Sequence, residues 1–241
     1  MDNAYSLSVV ICAVDETFSL ERTFRKLDGA GAVDEYLFVL SKTCTPACLA
    51  TVEKLCERPD CRWMYQSGKG FGGAIRDAFE EVRGTHMIVW SADEATDVSS
   101  FPEMVRLSKE NPDKIIKISR FLRKDGFEGY GRIKTAINYI SQRAFGLLYG
   151  SSLTEFTNPT QIAPIALYRR IRFERTDFAF LPEPIVKPLR LGVSFIEVPC
   201  KNVPRQEGKS HNTFKGHLMY YYIIIKTRFV KKEKLLKEVR E

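Results

Sequence analysis

Short apolar runs alternate with amphipathic segments along the first half of the chain. Runs typical of β-strands lie at 7–13, 35–40, 61–65 and 86–90, and segments with helical spacing lie between them at 19–27, 46–57 and 72–82. A helix at 101–110 and a strand at 114–119 continue the series. Such alternation requires crossover connections, so it predicts an α/β fold with a mostly parallel sheet, helices on both faces and ligands at the carboxyl ends of the strands.

The second half contains one long amphipathic pattern, at 131–150. Its apolar positions step by three and four residues and form one stripe: Ile133, Ile137, Ile140, Ala144 and Leu147. The other side carries Arg132, Lys134, Gln142 and Arg143. This spacing predicts a helix whose apolar stripe packs on the sheet. A further strand is predicted at 193–200.

Length and composition fit one folded domain, predicted at 1–215, followed by a C-terminal extension at 216–241. Hydrophobic residues make up 44% and charged residues 28% of the 241 residues, which excludes a disordered chain. Met1 leads through Asp2 and Asn3 into an apolar run without the basic region or the small-residue cleavage site of a signal peptide, so we expect a cytoplasmic protein with reduced thiols. The spacing of Cys44, Cys48, Cys56 and Cys61 leaves structural zinc as an alternative, although the tight pairs of a zinc ribbon are absent.

The net charge of +7 is concentrated at the C-terminus. Residues 226–241 hold seven basic and three acidic side chains, and the apolar run 218–225 lies directly before them. An apolar run next to a basic segment favours peripheral contact with an anionic membrane over nucleic-acid binding. The run is too short to span a bilayer, and burial in the core is an equally good interpretation of it.

A glycine-rich turn and a carboxylate are the strongest chemical signal. Gly68-Lys-Gly-Phe-Gly-Gly73 opens a predicted helix that also carries Arg76, and Asp93 and Asp97 follow the next strand. Glycines and a helix N-terminus suit a phosphate, and a carboxylate at a strand end suits a hard cation. The same glycines satisfy a dinucleotide fingerprint, but that motif normally follows the first strand, so an NAD-dependent oxidoreductase is the weaker alternative. Gly208-Lys-Ser210 imitates the end of a P-loop, but Val203 stands where its first glycine is required.

Several further motifs complete a pattern that extends over nearly the whole chain. They are Ser8-Val-Val-Ile-Cys-Ala-Val-Asp-Glu16, Ser91-Ala-Asp93, Leu153-Thr-Glu155, Lys187-Pro-Leu-Arg-Leu-Gly192, Glu197-Val-Pro199 and Arg205-x-x-Gly-x-Ser210. Together with the glycine turn, they resemble the bacterial family 2 glycosyltransferases of the GT-A type, close to the polyprenyl-phosphate glycosyltransferases and dolichol-phosphate mannose synthases. The resemblance implies a Rossmann-like GT-A fold that transfers a sugar, with inversion, from a nucleotide-sugar donor.

The resemblance also implies a role for individual residues. Donor contacts are expected within 1–119 and from the loop after the last strand: Ala13, Asp15, Glu16, Ser41, Gly68, Lys69, Arg76, Ala92, Asp93, Arg205, Lys209 and Ser210. Asp93 and Asp97 are the expected ligands of Mg²⁺ or Mn²⁺ on the donor diphosphate. Within the acceptor half at 120–215, Glu155 is the expected general base and Glu183 an acceptor-side acid. The implied acceptor is a polyprenyl phosphate, a lipid-linked glycan or a surface polysaccharide, at the inner face of the cell membrane.

Three departures from the family pattern leave a second function open. Leu40-Ser41 stands where the family usually has two aspartates, and Ser91 replaces the first aspartate of its Asp-x-Asp metal motif. Asn158-Pro-Thr-Gln161 also replaces the Gly-Phe-Arg that is common after the acid at position 155. A GT-A fold that binds a sugar nucleotide or a partner without turnover is therefore the alternative to an active transferase.

Overall fold

A computed structural model of the protein describes residues 4–127, 131–203, 206–207 and 214–238. The sheet has seven strands in the order β3-β2-β1-β4-β6-β5-β7. The strands are β1 (Leu7–Ala13), β2 (Glu35–Leu40), β3 (Cys61–Tyr65), β4 (His86–Ser91), β5 (Ile115–Ser119), β6 (Gln161–Pro164) and β7 (Phe195–Pro199). The α-helices are α1 (Phe18–Ala30), α2 (Pro46–Leu55), α3 (Gly70–Glu81), α4 (Phe101–Glu110), α5 (Arg132–Tyr149), α6 (Ile165–Arg170), α7 (Glu183–Leu191) and α8 (Phe214–Phe229).

The predicted mostly parallel sheet is confirmed. β1 pairs in parallel with β2 and β4, β2 with β3, and β5 with β7. The short strand β6 was not predicted. It runs antiparallel between β4 and β5 and pairs with only two or three residues of each, too few to leave an alternating pattern in the sequence.

Alternate side chains of the strands fill two cores, one on each face of the sheet. Val9, Ile11 and Trp90 pack with α1, α2 and α4 on one face. Val10, Val39 and Met87 pack with α3, α6 and the segment before α7 on the other. The strands read as continuous apolar runs because both faces of the sheet are covered.

The stripe predicted to bury α5 against the sheet faces the solvent instead. Ile133, Ile140 and Leu147 are all exposed, while Gln142 and Phe145 on the other side are buried. The helix itself is therefore confirmed, but its predicted inward face is wrong. The periodicity locates an apolar stripe on a helix without stating which surface covers it.

The C-terminal segment packs on the same fold. Tyr220, Ile223 and Ile224 of α8 are buried, so one side of the apolar run 218–225 belongs to the core. After α8, the backbone N–H of Arg172 donates to the carbonyl of Leu235 at 2.8 Å. The described residues after 216 are thus held by core packing and backbone hydrogen bonds. No helix in the described parts of the chain is long and apolar enough to cross a membrane.

Candidate functional site

The carboxyl ends of β1, β2 and β4 meet at one edge of the sheet. Cys12 is the register partner of Ser91, and Ala13 is the partner of Leu40. The N–H of Ser41 donates to the carbonyl of Ala13 at 3.2 Å. The residues that follow these three strands, which include Asp15, Ser41 and Asp93, are thereby brought to a common edge. Crossover folds bind their ligands at this edge.

Asp93 is the buried carboxylate of this edge. Its Oδ1 accepts hydrogen bonds from the hydroxyl of Ser91 and from the N–H of Ala95, the latter at 3.0 Å. Ala92, between the two motif residues, is buried in the core under α1 and α4. Ser91, the residue that replaces a family aspartate, therefore orients the carboxylate that remains.

The turn after Asp93 is held by a second buried acid that the sequence did not single out. Glu94 has a φ of 56°, in the left-handed region that few side chains adopt. Its carboxylate pairs with Lys26 of α1 at 2.6 Å and with Arg22 at 3.5 Å. Strained backbone of this kind persists where the surroundings fix it, and here two cations of α1 fix it.

Asp97 has the contacts of a helix cap. Its Oδ1 accepts from the N–H of Ser99 at 3.1 Å and its Oδ2 from the Ser99 hydroxyl at 2.6 Å. Both oxygens thus stabilise the short 3-10 helix Val98–Ser100 that leads into α4. This geometry gives Asp97 a structural use that competes with its predicted use as a second metal ligand.

The described residues contain no group of three or more His, Cys, Asp or Glu side chains that could hold a metal by themselves. The zinc alternative loses its support, since Cys44, Cys48, Cys56 and Cys61 all lie in the described part. A magnesium or manganese ion on a diphosphate needs only one or two protein carboxylates, because phosphate oxygens and water supply the rest. Asp93 satisfies that smaller requirement.

The glycine turn before α3 is occupied by an acid of the chain itself. Asp77 Oδ2 accepts from the N–H groups of Ser67 and Gly68 at 2.6 and 3.0 Å, and Oδ1 accepts from the Ser67 hydroxyl at 2.9 Å. Asp77 therefore occupies the N–H groups of Ser67 and Gly68, and phosphate binding at this turn stays a prediction. Lys69 is exposed at the start of α3 and Arg76 is half-buried within it.

The glycines themselves are required by close packing within the protein. Gly70 has a φ of +70°, and a Cβ on it would stand 2.7 Å from the carbonyl oxygen of Thr176. A Cβ on Gly72 would stand 2.6 Å from the Cβ of Phe180. Because the turn follows β3, which lies at the edge of the sheet, the dinucleotide alternative lacks the central first strand that it needs.

Glu183 lies behind the glycine turn rather than on an open acceptor face. It is buried, forms an ion pair with Lys187 at 2.8 Å, and accepts from the N–H groups of Glu174 and Arg175 at 3.0 and 3.1 Å. The next residue, Thr176, accepts from the N–H of Gly73 at 3.1 Å. Glu183 therefore stabilises the segment against which the glycine turn packs.

The loop after β1 is fastened by an acid from the far end of the chain. Asp15 is exposed, and Glu16 turns back to accept from the N–H of Val14 at 2.9 Å. Glu207 accepts from the N–H groups of Thr17 and Ser19, both at 3.0 Å, at the start of α1. Burial acts to raise the pKa of Glu207, but these hydrogen bonds outweigh it and lower the pKa.

Gln206 connects the same loop to the metal-binding candidate, since its N–H donates to the carbonyl of Asp93 at 3.2 Å. The loop after β7 thus contacts the residues that follow β1 and β4. Three predicted donor contacts of this loop, Arg205, Lys209 and Ser210, lie outside the described residues, and so does the P-loop imitation at 208–210.

The predicted general base, Glu155, is fully buried in an ion pair. Its two oxygens accept from Nε and Nη2 of Arg120 at 2.9 and 3.0 Å, and Oε1 also accepts from the Thr157 hydroxyl at 2.7 Å. Burial acts to raise its pKa, but the charge and hydrogen bonds of Arg120 outweigh burial and hold the pKa at about 2. A base should have a pKa near the working pH, so these surroundings suit a structural carboxylate better.

Two more charges complete this buried group. Lys117 of β5 is fully buried, donates to the carbonyl of Ile118 at 3.1 Å, and has a pKa that burial lowers to about 8. Its register partner, Glu197 of β7, accepts from the N–H groups of Thr154 and Glu155 at 2.8 and 3.0 Å. The motif around Glu197 was part of the sequence pattern, but the buried charges of Lys117 and Arg120 were not predicted from it. A charged residue inside the apolar pattern of β5 was the available signal.

The fold is shared with solved glycosyltransferases. Three structures of glucosyl-3-phosphoglycerate synthase from Mycobacterium tuberculosis match it. The complex with Mg²⁺ and UDP has a TM-score of 0.68 and 15% identity over 92% of this chain and 78% of that one, and the complex with Mn²⁺, UDP and phosphoglyceric acid has a TM-score of 0.67 and 14% identity over 92% and 77%. The complex with Mn²⁺, UDP-glucose and phosphoglyceric acid has a TM-score of 0.65 and 14% identity over 93% and 78% of the two chains. At this identity the likeness establishes the fold, and it confirms the predicted GT-A class.

The sequence comparisons give the family directly. No curated protein matches the chain. The model of the family described as "Glycosyl transferase family 2" matches residues 8–176, which include β1 from its second residue, β2 to β6, and both Asp93 and Glu155. The match covers more than half of the chain, so this glycosyltransferase belongs to glycosyl transferase family 2.

Proposed function

We propose that the protein transfers a sugar from a nucleoside-diphosphate donor, bound where β1, β2 and β4 end, to an acceptor that approaches from the side of β5. The observation that carries this proposal is the buried Asp93 carboxylate at the shared strand edge, oriented by Ser91 and contacted by the loop that holds Gln206. An oriented carboxylate at this edge is suited to hold a cation against a diphosphate.

Mg²⁺ or Mn²⁺ is the proposed cofactor, with Asp93 as its carboxylate ligand. A bound divalent cation would supply positive charge to the diphosphate, on which negative charge develops as the nucleoside diphosphate leaves the sugar. Lys69 is exposed at the start of α3, and we assign it the role of stabilising the same negative charge on the diphosphate. The proposed donor contacts of Asp15, Glu16 and Ser41 follow from their place at the strand ends.

The surroundings of Glu155 favour an acceptor that is already ionised. In an inverting displacement, an acceptor oxygen forms the new bond to the anomeric carbon as the bond to the diphosphate breaks, and the leaving nucleoside diphosphate takes the electron pair. A hydroxyl acceptor needs a base for its proton, whereas a phosphate monoester is ionised near neutral pH. Because Glu155 is buried against Arg120 with a pKa of about 2, we propose a phosphate acceptor, such as a polyprenyl phosphate.

The donor is tested with a panel of nucleotide sugars in the presence of Mg²⁺ or Mn²⁺. UDP-glucose is a sensible first member, since a solved structure with the same fold contains it. A bound donor should raise the midpoint of thermal unfolding by mass action. Asp93→Asn should abolish the metal-dependent part of that shift. Asp113→Asn, which changes an exposed carboxylate just before β5, is the matched control and should leave the shift intact.

The acceptor is tested with a short-chain polyprenyl phosphate and the corresponding polyprenol. Product from the phosphate alone supports the proposal. Transfer to the polyprenol at a comparable rate contradicts the ionised acceptor but leaves sugar transfer in place. A folded protein that shows neither donor binding nor transfer across the panel contradicts the transferase reaction itself and supports a binding role.

A further inference from the structure

Helix α5 buries polar side chains and exposes large apolar ones. The side that faces the protein includes buried Gln142 and half-buried Asn138. The opposite side presents four large apolar side chains that are 80, 53, 70 and 85% exposed, namely Ile133, Ile137, Ile140 and Leu147. A surface helix of a soluble domain normally shows the reverse arrangement. The outer side of α5 therefore lacks an apolar cover within the described chain.

Helix α8 has a second apolar stripe of the same kind. Its inner side is buried through Tyr220, Ile223 and Ile224. Its outer side carries four large apolar side chains at steps of three and four residues that are 53, 55, 48 and 75% exposed, namely Leu218, Tyr222, Ile225 and Phe229. The apolar run that was predicted either for the core or for a membrane thus has one side in the core and the other side exposed.

The two helices lie side by side. The hydroxyl of Tyr149 donates to the carbonyl of Ile224 at 2.7 Å, and Nε of Arg228 donates to the carbonyl of Leu148 at 2.8 Å. Successive residues of a helix are about 100° apart around its axis. On this spacing, the exposed stripe of each helix lies roughly a quarter turn from the residues that contact the other helix, and it lies opposite the residues that are buried against the protein. Both stripes therefore face the same way. We call the eight exposed apolar residues of α5 and α8 the two-helix face.

The charged side chains of α5 and α8 are all of one sign. Neither α5 nor α8 contains an aspartate or a glutamate anywhere along its length. Arg143 and Lys226 are exposed beside the stripes, and just after α8 the segment 231–234 exposes three lysines and one acid, Glu233. The two-helix face is consequently an apolar surface with a cationic border, a combination suited to the interface between acyl chains and anionic headgroups.

We propose that the two-helix face docks in the plane of a bilayer that contains anionic lipids. Charge decides between this occupant and a second copy of the chain. A two-fold contact through the same face would bring its basic border against an identical basic border, whereas anionic headgroups complement it. Neither helix meets the requirements for spanning, so the docking is peripheral.

Docking would place the transfer site beside the membrane. Gln142, on the inner side of α5, accepts from the N–H of Phe156 at 2.6 Å, and Phe156 directly follows Glu155. The two-helix face is therefore one helix away from the charged group that borders the proposed acceptor side. Membrane docking goes beyond the proposed sugar transfer, and it is measured without donor or acceptor, so either proposal can fail while the other stands.

The apolar part is tested by flotation with vesicles of phosphatidylcholine alone or mixed with phosphatidylglycerol. We expect binding to the mixed vesicles, and a loss of about tenfold or more in Ile140→Ser and in Leu147→Ser, since each removes one large side chain from the bilayer contact. Tyr65→Ser is the control, because Tyr65 is a large exposed side chain, 43% exposed, on the edge strand β3. Equal binding of all three variants would overturn the proposal.

The charged part is tested with Lys226→Glu and Lys231→Glu, each expected to weaken binding to the mixed vesicles about fivefold. Lys54→Glu, on the exposed side of α2, is the control. Added salt should weaken binding of the unsubstituted protein. Failure of that protein to float with mixed vesicles would overturn the proposal. So would a dimer in sedimentation that Ile140→Ser converts to monomer without any vesicle binding, since the face would then be a self-interface.

Discussion

Arg120 holds Glu155 through two parallel hydrogen bonds of 2.9 and 3.0 Å, inside the protein and at the end of β5. The guanidinium is mostly buried and the carboxylate fully so. An arginine in a bidentate pair fixes both the position and the charge of the carboxylate that it binds. The pair therefore orders the segment 154–158 next to the proposed acceptor side, and it removes from Glu155 the proton affinity that a general base requires.

Removing this charge should destabilise the protein in a pH-dependent way. Glu155→Gln removes the carboxylate that pairs with Arg120 and should cost about 3–5 kcal/mol near pH 7. The folded pKa of Glu155, about 2, lies below its ordinary value of 4.5, so its contribution is fully present above about pH 4.5 and is lost as the pH falls toward 2. The difference in unfolding free energy between the two proteins, measured by urea denaturation, should therefore shrink with acidification.

A double variant separates the structural role of Glu155 from a catalytic one. Arg120→Gln combined with Glu155→Gln leaves an uncharged pair whose amides can bond to each other, so much of the lost stability should return. If Glu155 is structural, the double variant should recover transfer activity along with stability. A stable double variant with no activity would instead restore Glu155 to the position of general base.

The first half of the fold was largely readable from the sequence, and the reason is visible in β1 to β4. Parallel strands buried on both faces give uninterrupted apolar runs, and the predicted ranges of β1, β2 and β3 agree with the structure. The second half was less readable. β6 is a four-residue strand, and its antiparallel place between β4 and β5 depends on long-range pairing that no local pattern encodes.

The candidate site also contains residues whose position could be predicted from the sequence and contacts that could not. The position of Asp93 at a strand end followed from local pattern, and the structure places it there. The partners of the predicted acids did not follow, because Arg120 lies 35 residues from Glu155 along the chain and Glu207 lies 190 residues from Thr17. Spacing reveals the type of group available, whereas its protonation and accessibility depend on partners brought in by the fold.

Glu207 should cap α1 measurably. Glu207→Ala removes the acceptor for the N–H groups of Thr17 and Ser19 and should cost about 1 kcal/mol, as loss of a helix cap does. The lowered pKa of Glu207 means that this stabilisation is present above the usual pKa of a glutamate and fades as the pH falls through the lowered value. Amide hydrogen exchange at Thr17 and Ser19 should accelerate in the variant.

Glu53→Ala serves as the control for the cap, because Glu53 is an exposed glutamate of α2. It should change neither the unfolding free energy nor the exchange rates of α1 appreciably. Unchanged exchange at Thr17 and Ser19 in Glu207→Ala would mean that the hydrogen bonds from the loop after β7 do not persist in solution.

Gly72 should tolerate no side chain. Gly72→Ala would place a Cβ 2.6 Å from the Cβ of Phe180, an atom that side-chain rotation cannot move away, and should cost about 1–3 kcal/mol. Gly29→Ala is the matched control in α1, where a Cβ meets no atom within 4 Å, and it should stabilise by up to about 1 kcal/mol. Both values come from urea denaturation. Equal effects of the two substitutions would contradict the close contact between α3 and the segment before α7.

Restoring the aspartate that this chain lacks should tighten metal binding at Asp93. In Ser91→Asp the hydroxyl that donates to Asp93 is replaced by a second carboxylate, which repels Asp93 without metal and adds a ligand charge with it. We expect the Kd for Mn²⁺ in the presence of UDP, measured by calorimetry, to fall by about tenfold or more. Ser91→Asn is the control of the same size without the charge. If Ser91→Asp and Ser91→Asn bind Mn²⁺ equally, the cation is not held beside Asp93, and the donor diphosphate must be neutralised by the basic side chains of the site.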